Sequence, residues 1–217
     1  MYGGHTITTA TGAMGICNGI LTTVGDFTYI EDTRFGPSSF WANSAATTGS
    51  QAGFRTNQTL TSITRAPSLY CSFAPIDVGT GPHIFFIGFH GSSGSFVSGT
   101  DPLNARDGIG LVLNGGFFRV AHNDESGSTF FEDFEPAIAE DALPHAVTIT
   151  ADTTRPSWFI ELYSIGTSDT PPTLQGTLEV TTDIVLAQNE TIAATAIMET
   201  RENAIHTWVI YRWEGLF

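Results

Sequence analysis

The stretch from His145 to Gly166, HAVTITADTTRPSWFIELYSIG, constrains the fold more than any other part of the chain. Val147 and Ile149 alternate with Thr148 and Thr150. Beyond the break at Asp152–Pro156, Trp158, Ile160 and Leu162 alternate with Phe159, Glu161 and Tyr163. Successive side chains on a strand point to opposite faces, so the pattern buries one face and leaves the other mixed. Branched and aromatic residues also suit a pleated surface. The segment reads as two strands and the turn between them. No stretch of the sequence shows a comparable helical periodicity.

Strand signals recur along the rest of the chain. Ser68–Ile76 puts Leu69, Cys71 and Phe73 on one face, and His83–Phe89 (HIFFIGF) is apolar on both faces, as in a central strand covered on each side. Gly108–Leu113, the turn Asn114-Gly-Gly116 and Phe117–His122 make a hairpin, because Asn-Gly between apolar runs favours a tight two-residue turn. Phe130–Glu135, Leu174–Thr181, Thr191–Met198 and His206–Trp213 complete the set. The pattern predicts an all-β chain: a two-sheet antiparallel jelly-roll sandwich with an N-terminal extension. Residues 1–34, rich in Gly and Thr with short apolar pieces, read either as an N-terminal arm that docks on a partner or as opening strands and loops. Residues 35–217 form the jelly-roll domain.

Composition narrows the partners. Of the 217 residues 41% are hydrophobic, enough for a core, and only 14% are charged, so Thr, Ser, Asn and Gly cover much of the surface. The formal net charge is −14 and every basic residue is Arg, which leaves nothing to grip a phosphate backbone and excludes nucleic acid as the expected partner. There is no basic, apolar leader and no run approaching the roughly 20 apolar residues of a membrane span, so neither export nor a membrane is expected. Asn57-Gln-Thr and Asn189-Glu-Thr match the glycosylation pattern by chance on that reading. Cys17 and Cys71 lack the spacing of a disulfide framework or a zinc site, and Cys71 reads as a small buried hydrophobe.

From about Ser68 onward the order of elements resembles the concanavalin A-like lectin/glucanase (laminin G-like) jelly roll, in the version found in bacteriophage virion proteins. The pieces that carry the likeness are HIFFIGFHG, then Asp-Gly-Ile-Gly-Leu, the Asn-Gly-Gly-Phe-Phe turn, Pro-His-Ala-Val-Thr-Ile-Thr, Trp-Phe-Ile-Glu-Leu and the terminal Trp-Val-Ile-Tyr-Arg-Trp. The resemblance implies a non-enzymatic structural protein of a tailed phage, such as a head decoration, spike or fibre component. It implies localisation in the virion after synthesis in the host cytoplasm. Residues 1–34 would dock on capsid or other virion proteins, and a homo-oligomer would gain binding strength from multivalency. A carbohydrate-binding module, a glycan hydrolase and a receptor-binding tail protein stay open as alternatives.

Four groups of residues are candidates for chemistry. Glu132, Asp133 and Glu135, with Glu140 and Asp141 nearby, form the one dense carboxylate cluster. A glycosidase sets two carboxyl groups on one sugar, whereas the glucanases of this fold carry acids at i, i+2 and i+4 of one strand; here Glu132 shares its face with Phe134 and the third acid is missing. No catalytic residue is therefore expected. The six histidines (His5, His83, His90, His122, His145, His206) show no metal-ligand spacing, and Gly91-Ser-Ser-Gly-Ser95 lacks the strand-to-helix setting of a nucleophile elbow. A glycan site is the remaining expectation: Asp101, Asn104 and Asp107 in one loop, with Phe96 or Trp41 as an aromatic platform. The same three oxygen-bearing residues are the candidate ligands for calcium, while turn chemistry alone also favours Asp and Asn there.

Overall fold

The structure is a computed structural model. It describes residues 14–16, 19–24, 27–32, 36–43, 48–49, 51–56, 66–75, 83–91, 103, 107–124, 128–141, 143–155, 157–166, 171–181, 192–200 and 207–216. For the strands before residue 44, and for Ala52, residues 54–56, Pro75, His83, Ile192, Thr207 and Leu216, only the backbone is described. The strands are β1 (Met14–Ile16), β2 (Gly19–Val24), β3 (Phe27–Asp32), β4 (Gly36–Asn43), β5 (Gln51–Thr56), β6 (Ser68–Pro75), β7 (His83–Gly91), β8 (Gly108–Asn114), β9 (Phe117–Asn123), β10 (Phe130–Ala139), β11 (His145–Asp152), β12 (Ser157–Ser164), β13 (Thr173–Thr181), β14 (Ile192–Thr200) and β15 (Thr207–Leu216).

They form two sheets, one of eight strands in the order β1-β2-β5-β14-β7-β8-β9-β10 and one of seven in the order β13-β12-β11-β6-β15-β4-β3. All pairings are antiparallel. Among the described residues every regular element is a strand, and the arrangement is the two-sheet jelly-roll sandwich that the alternation predicts. The expected boundary at residue 34 falls between two strands that pair with each other, β3 and β4, and β2 pairs with β5. Residues 14–16, 19–24 and 27–32 thus lie at the margins of the sheets.

The core lies between the sheets and follows the period of two. Leu69, Cys71 and Phe73 from β6, Phe85, Ile87 and Phe89 from β7, Ile109, Leu111 and Leu113 from β8, and Trp158, Ile160 and Leu162 from β12 all bury inward. Their rings interlock: Phe85 stacks on Trp208 at 3.8 Å between centroids, and Phe73 sits 5.4 Å from Phe85 and 6.0 Å from Phe118. Each buried aromatic removes a large apolar area from water, at roughly 25 cal/mol per Å². Cys71 is part of this core, and burial pushes its thiol well above the ordinary range, so it packs rather than reacts.

Two local features set the register. In the β8–β9 hairpin Gly115 and Gly116 have φ of +64° and +80°, the two left-handed positions that a two-residue turn matching the strand twist requires. In the β11–β12 turn Asp152 Oδ1 accepts hydrogen bonds from Thr154 N at 2.8 Å, Thr154 Oγ1 at 2.7 Å and Arg155 N at 3.2 Å. Those bonds hold the Asp152 carboxyl down at about 2, so the turn keeps its cap across the neutral range.

Candidate functional site

The β7–β8 loop carries most of the expected glycan site. Its two ends are tied together, because Gly91 N donates to Asp107 O at 2.6 Å. Asp107 is buried, at the neck of the loop rather than on its open rim. Leu103 is buried too and turns back over the sheet: a side chain at Gly108 would come within 2.6 Å of Leu103 Cδ2. Phe96, Asp101 and Asn104 lie outside the described residues. The backbone of Trp41 belongs to β4 of the seven-stranded sheet, whereas the loop joins two strands of the other sheet; the Trp41 side chain lies outside the described residues.

The loop leads onto the outward face of the eight-stranded sheet, where alternation places Ile84, Phe86, Gly88 and His90 on β7, Gly110 and Val112 on β8, Ala121 and Asn123 on β9, and Thr195, Ile197 and Glu199 on β14. Ile84, Phe86, Leu103, Val112, Ala121 and Ile197 make a second apolar layer there, with Phe131 packed against it. Phe86 reaches along its strand to cover two glycines; a Cβ at Gly88 would lie 2.8 Å from its Cζ and one at Gly110 2.7 Å from its Cε2. The absence of side chains at these two positions is what lets the ring lie on the sheet.

Polar groups are set into this layer. Thr195 is 1% exposed, and its Oγ1 has no hydrogen-bond partner among the described residues. Glu199 is buried and accepts from Gln51 Nε2 at 2.7 Å. His90 is buried with Nδ1 2.8 Å from Gly91 O, which fixes the proton on Nδ1 and makes Nε2 the acceptor of the neutral ring. Asn123 is fully buried. At the rim, Arg119 grips Asp133 through two bonds of 2.6 and 3.1 Å and lies 5.2 Å above the Phe131 ring.

The carboxylate cluster does not converge on one sugar. Glu132 and Asp133 project to opposite faces of β10, Glu132 toward His122 Nε2 at 2.8 Å and Asp133 into the Arg119 pair. Glu140 is raised to about 7, first by burial and then by the neighbouring Asp141 charge, a value suited to proton transfer. Its neighbour is committed elsewhere: Asp141 Oδ1 accepts from His145 Nε2 at 2.8 Å and from Leu143 N at 2.9 Å. His122 and His145 are both buried, each with Nε2 2.8 Å from its carboxylate and with Nδ1 unpartnered among the described residues. His145 is wedged against Phe73 and Phe118 and His122 stacks on Phe130. His90, His122 and His145 are packed, bonded side chains; His5, His206 and the side chain of His83 lie outside the described residues.

Calcium needs six to eight oxygens at one point. Among the described residues no three His, Cys, Asp or Glu side chains gather to hold a metal, and Asp107 is the one expected ligand that is described. It is buried at the loop neck, and the other two expected ligands, Asp101 and Asn104, lie outside the described residues. The polar groups Thr195, Glu199, His90 and Asn123 on this face were not anticipated from the sequence. Their one signal was the two-sided apolar run of β7, which announces a covered outer face without saying which polar groups are set into it.

No protein-family model and no curated protein sequence matches the chain. Solved structures do. A protein of unknown function from Shewanella oneidensis MR-1 superposes with a TM-score of 0.62 at 14% identity, covering 94% of this chain and 88% of that one. A legume lectin-like domain from Entamoeba histolytica gives 0.60 at 8%, covering 90% and 89%. Alginate lyase A1-II′, of polysaccharide lyase family 7, gives 0.55 at 14%, covering 87% and 82%. Identity at this level speaks for the fold alone. The chain shares the two-sheet jelly-roll fold of these lectin-like and lyase structures, the fold its strand order resembles.

Proposed function

We propose that the chain is a non-enzymatic carbohydrate-binding jelly roll whose ligand is met by the outward face of the eight-stranded sheet beside the β7–β8 loop. The observation that carries this reading is the Thr195 hydroxyl, buried without a partner among the described residues on the face that also holds Glu199, His90 and Asn123. Folding gains nothing from it, because an unsatisfied buried hydroxyl costs on the order of 1–3 kcal/mol. A sugar hydroxyl is the natural complement. The lectin-like and lyase neighbours support carbohydrate as the ligand class. Glycan-array binding of the wild type against Thr195→Val tests it: the expected result is a loss of about fivefold or more, and equal binding by the two proteins contradicts the site. The non-enzymatic half is tested separately. A polysaccharide solution that loses viscosity when the protein is added would place it with the lyases instead.

The setting we infer is a tailed-phage particle, with the jelly roll as part of a head decoration, spike or fibre and as a homo-oligomer. The resemblance of the strand order to phage virion proteins supports this setting. Docking is assigned to residues 1–13 rather than to all of 1–34, because β2 and β3 pair with strands of the jelly roll. Co-sedimentation with particles, lost on removal of residues 1–13, is the expected result. A protein that never pellets with particles contradicts the setting but leaves the carbohydrate reading standing.

A further inference from the structure

The outward face of the seven-stranded sheet has a different character. On β12 the residues that point away from the core are Phe159, Glu161 and Tyr163, all half-buried. Register carries a single row across five strands: Glu214 on β15, Tyr70 on β6, Thr148 on β11, Glu161 on β12 and Thr177 on β13. With strands about 4.8 Å apart, Tyr70 and Glu161 stand roughly 10 Å apart, and Phe159 and Tyr163 roughly 13 Å apart along β12. Three rings therefore surround one carboxylate, and threonines floor the space between them.

That carboxylate is fixed and half-free. Thr148 Oγ1 and Tyr163 Oη both donate to Glu161 Oε2, each at 2.9 Å. Oε1 makes no hydrogen bond among the described residues. Two donors on one oxygen lock the plane of the group and leave the other oxygen as an oriented acceptor. The Tyr163 hydroxyl is held in its protonated, donating form by burial and by the Glu161 charge.

We propose that this face is a second binding surface, one that takes an uncharged glycan: sugar C–H faces on Tyr70, Phe159 and Tyr163, and sugar hydroxyls on Glu161 Oε1 and the flanking threonines. It rests on the reading that the chain binds carbohydrate and adds a face that reading does not use. Charge selects the class. Among the described residues the two arginines of the face are each paired, Arg212 with Glu214 at 2.6 Å and Arg155 with Asp152 at 3.4 Å, so neither stands free for a uronate or sulfate. The net charge of −14 opposes a polyanion further. A cationic ligand is disfavoured as well, since Arg212 already lies 5.5 Å above the Tyr70 ring and Arg155 5.5 Å above Phe159.

Affinity gel electrophoresis of the full chain through a soluble neutral β-glucan, a neutral galactomannan and alginate tests the proposal. Wild type, Glu161→Gln, Tyr163→Phe and Thr195→Val are compared, with thermal melts confirming that each variant folds. The expected result is retardation by at least one neutral polymer and none by alginate. Glu161→Gln weakens it about tenfold or more through loss of a charge-assisted acceptor, and Tyr163→Phe, which only unlocks the carboxylate, weakens it by about threefold. Retardation of both β12 variants at the wild-type level overturns the proposal while leaving the carbohydrate reading intact. So does retardation by alginate alone. Retardation by none of the three polymers overturns both.

Discussion

The two outward faces of this sandwich were built by the same rule and ended differently. On the eight-stranded sheet the outward residues of β7 are Ile84, Phe86, Gly88 and His90, and Phe86 is 0% exposed. On the seven-stranded sheet the outward residues of β12 are Phe159, Glu161 and Tyr163, all still in contact with water. The first face has its own apolar layer, including Leu103 from a loop; the second has hydroxyls, a carboxylate and rings. A strand that is apolar on both faces asks to be covered, while one that alternates cleanly asks for solvent or a ligand. The difference is one of access: on the covered face a ligand would meet the Thr195 hydroxyl set among buried side chains, whereas on the open face it would meet rings and a carboxylate that already touch water.

The largest effect expected of this contrast is on stability. Phe86→Ala removes a fully buried ring and should cost about 3–5 kcal/mol in urea unfolding, whereas Phe159→Ala on the open face should cost about 1 kcal/mol or less. Equal costs would erase the distinction. Next comes the join between the sheets, where Glu140 sits in the β10–β11 connection. Its carboxyl is raised from 4.5 to about 7, so the folded state holds this proton more tightly than the unfolded chain. The associated stability is fully present below pH 4.5 and is lost as pH rises through about 7. Half-exposure discounts it to about 1–2 kcal/mol. Glu140→Gln should flatten that part of the stability–pH profile, and an unchanged slope would contradict the assignment. Thr195→Val should raise stability by about 1 kcal/mol by removing an unsatisfied hydroxyl. The smallest effect is that of Glu161→Gln, which should alter unfolding by no more than about 0.5 kcal/mol, since its role lies in binding.

The alternation made most of the fold legible. Trp158, Ile160 and Leu162 bury as their period of two requires, and Asn114-Gly-Gly116 forms the turn its residues dictate. Phe159, Glu161 and Tyr163 were visible as a mixed face, but the lock on Glu161 comes from Thr148 on the paired strand, and register is not written in either strand alone. The carboxylate cluster shows the same limit. Alternation separates Glu132 from Asp133, yet only the fold supplies His122 for one and Arg119 for the other. Asp107 looked like a ligand because it stands with Asp101 and Asn104 in a turn-rich loop. The bond its backbone oxygen accepts from Gly91 N also makes its position the neck of that loop, a contact between residues sixteen apart in the chain that spacing does not reveal.

The most direct test of the account is a backbone-amide NMR titration of the full chain with a short neutral β-glucan oligosaccharide. The account predicts saturable shifts in a contiguous patch on the open face of the seven-stranded sheet, at Thr148, Glu161, Tyr163 and Thr177, together with shifts around Thr195 on the eight-stranded sheet. Spectra unchanged at every amide up to millimolar sugar would contradict it.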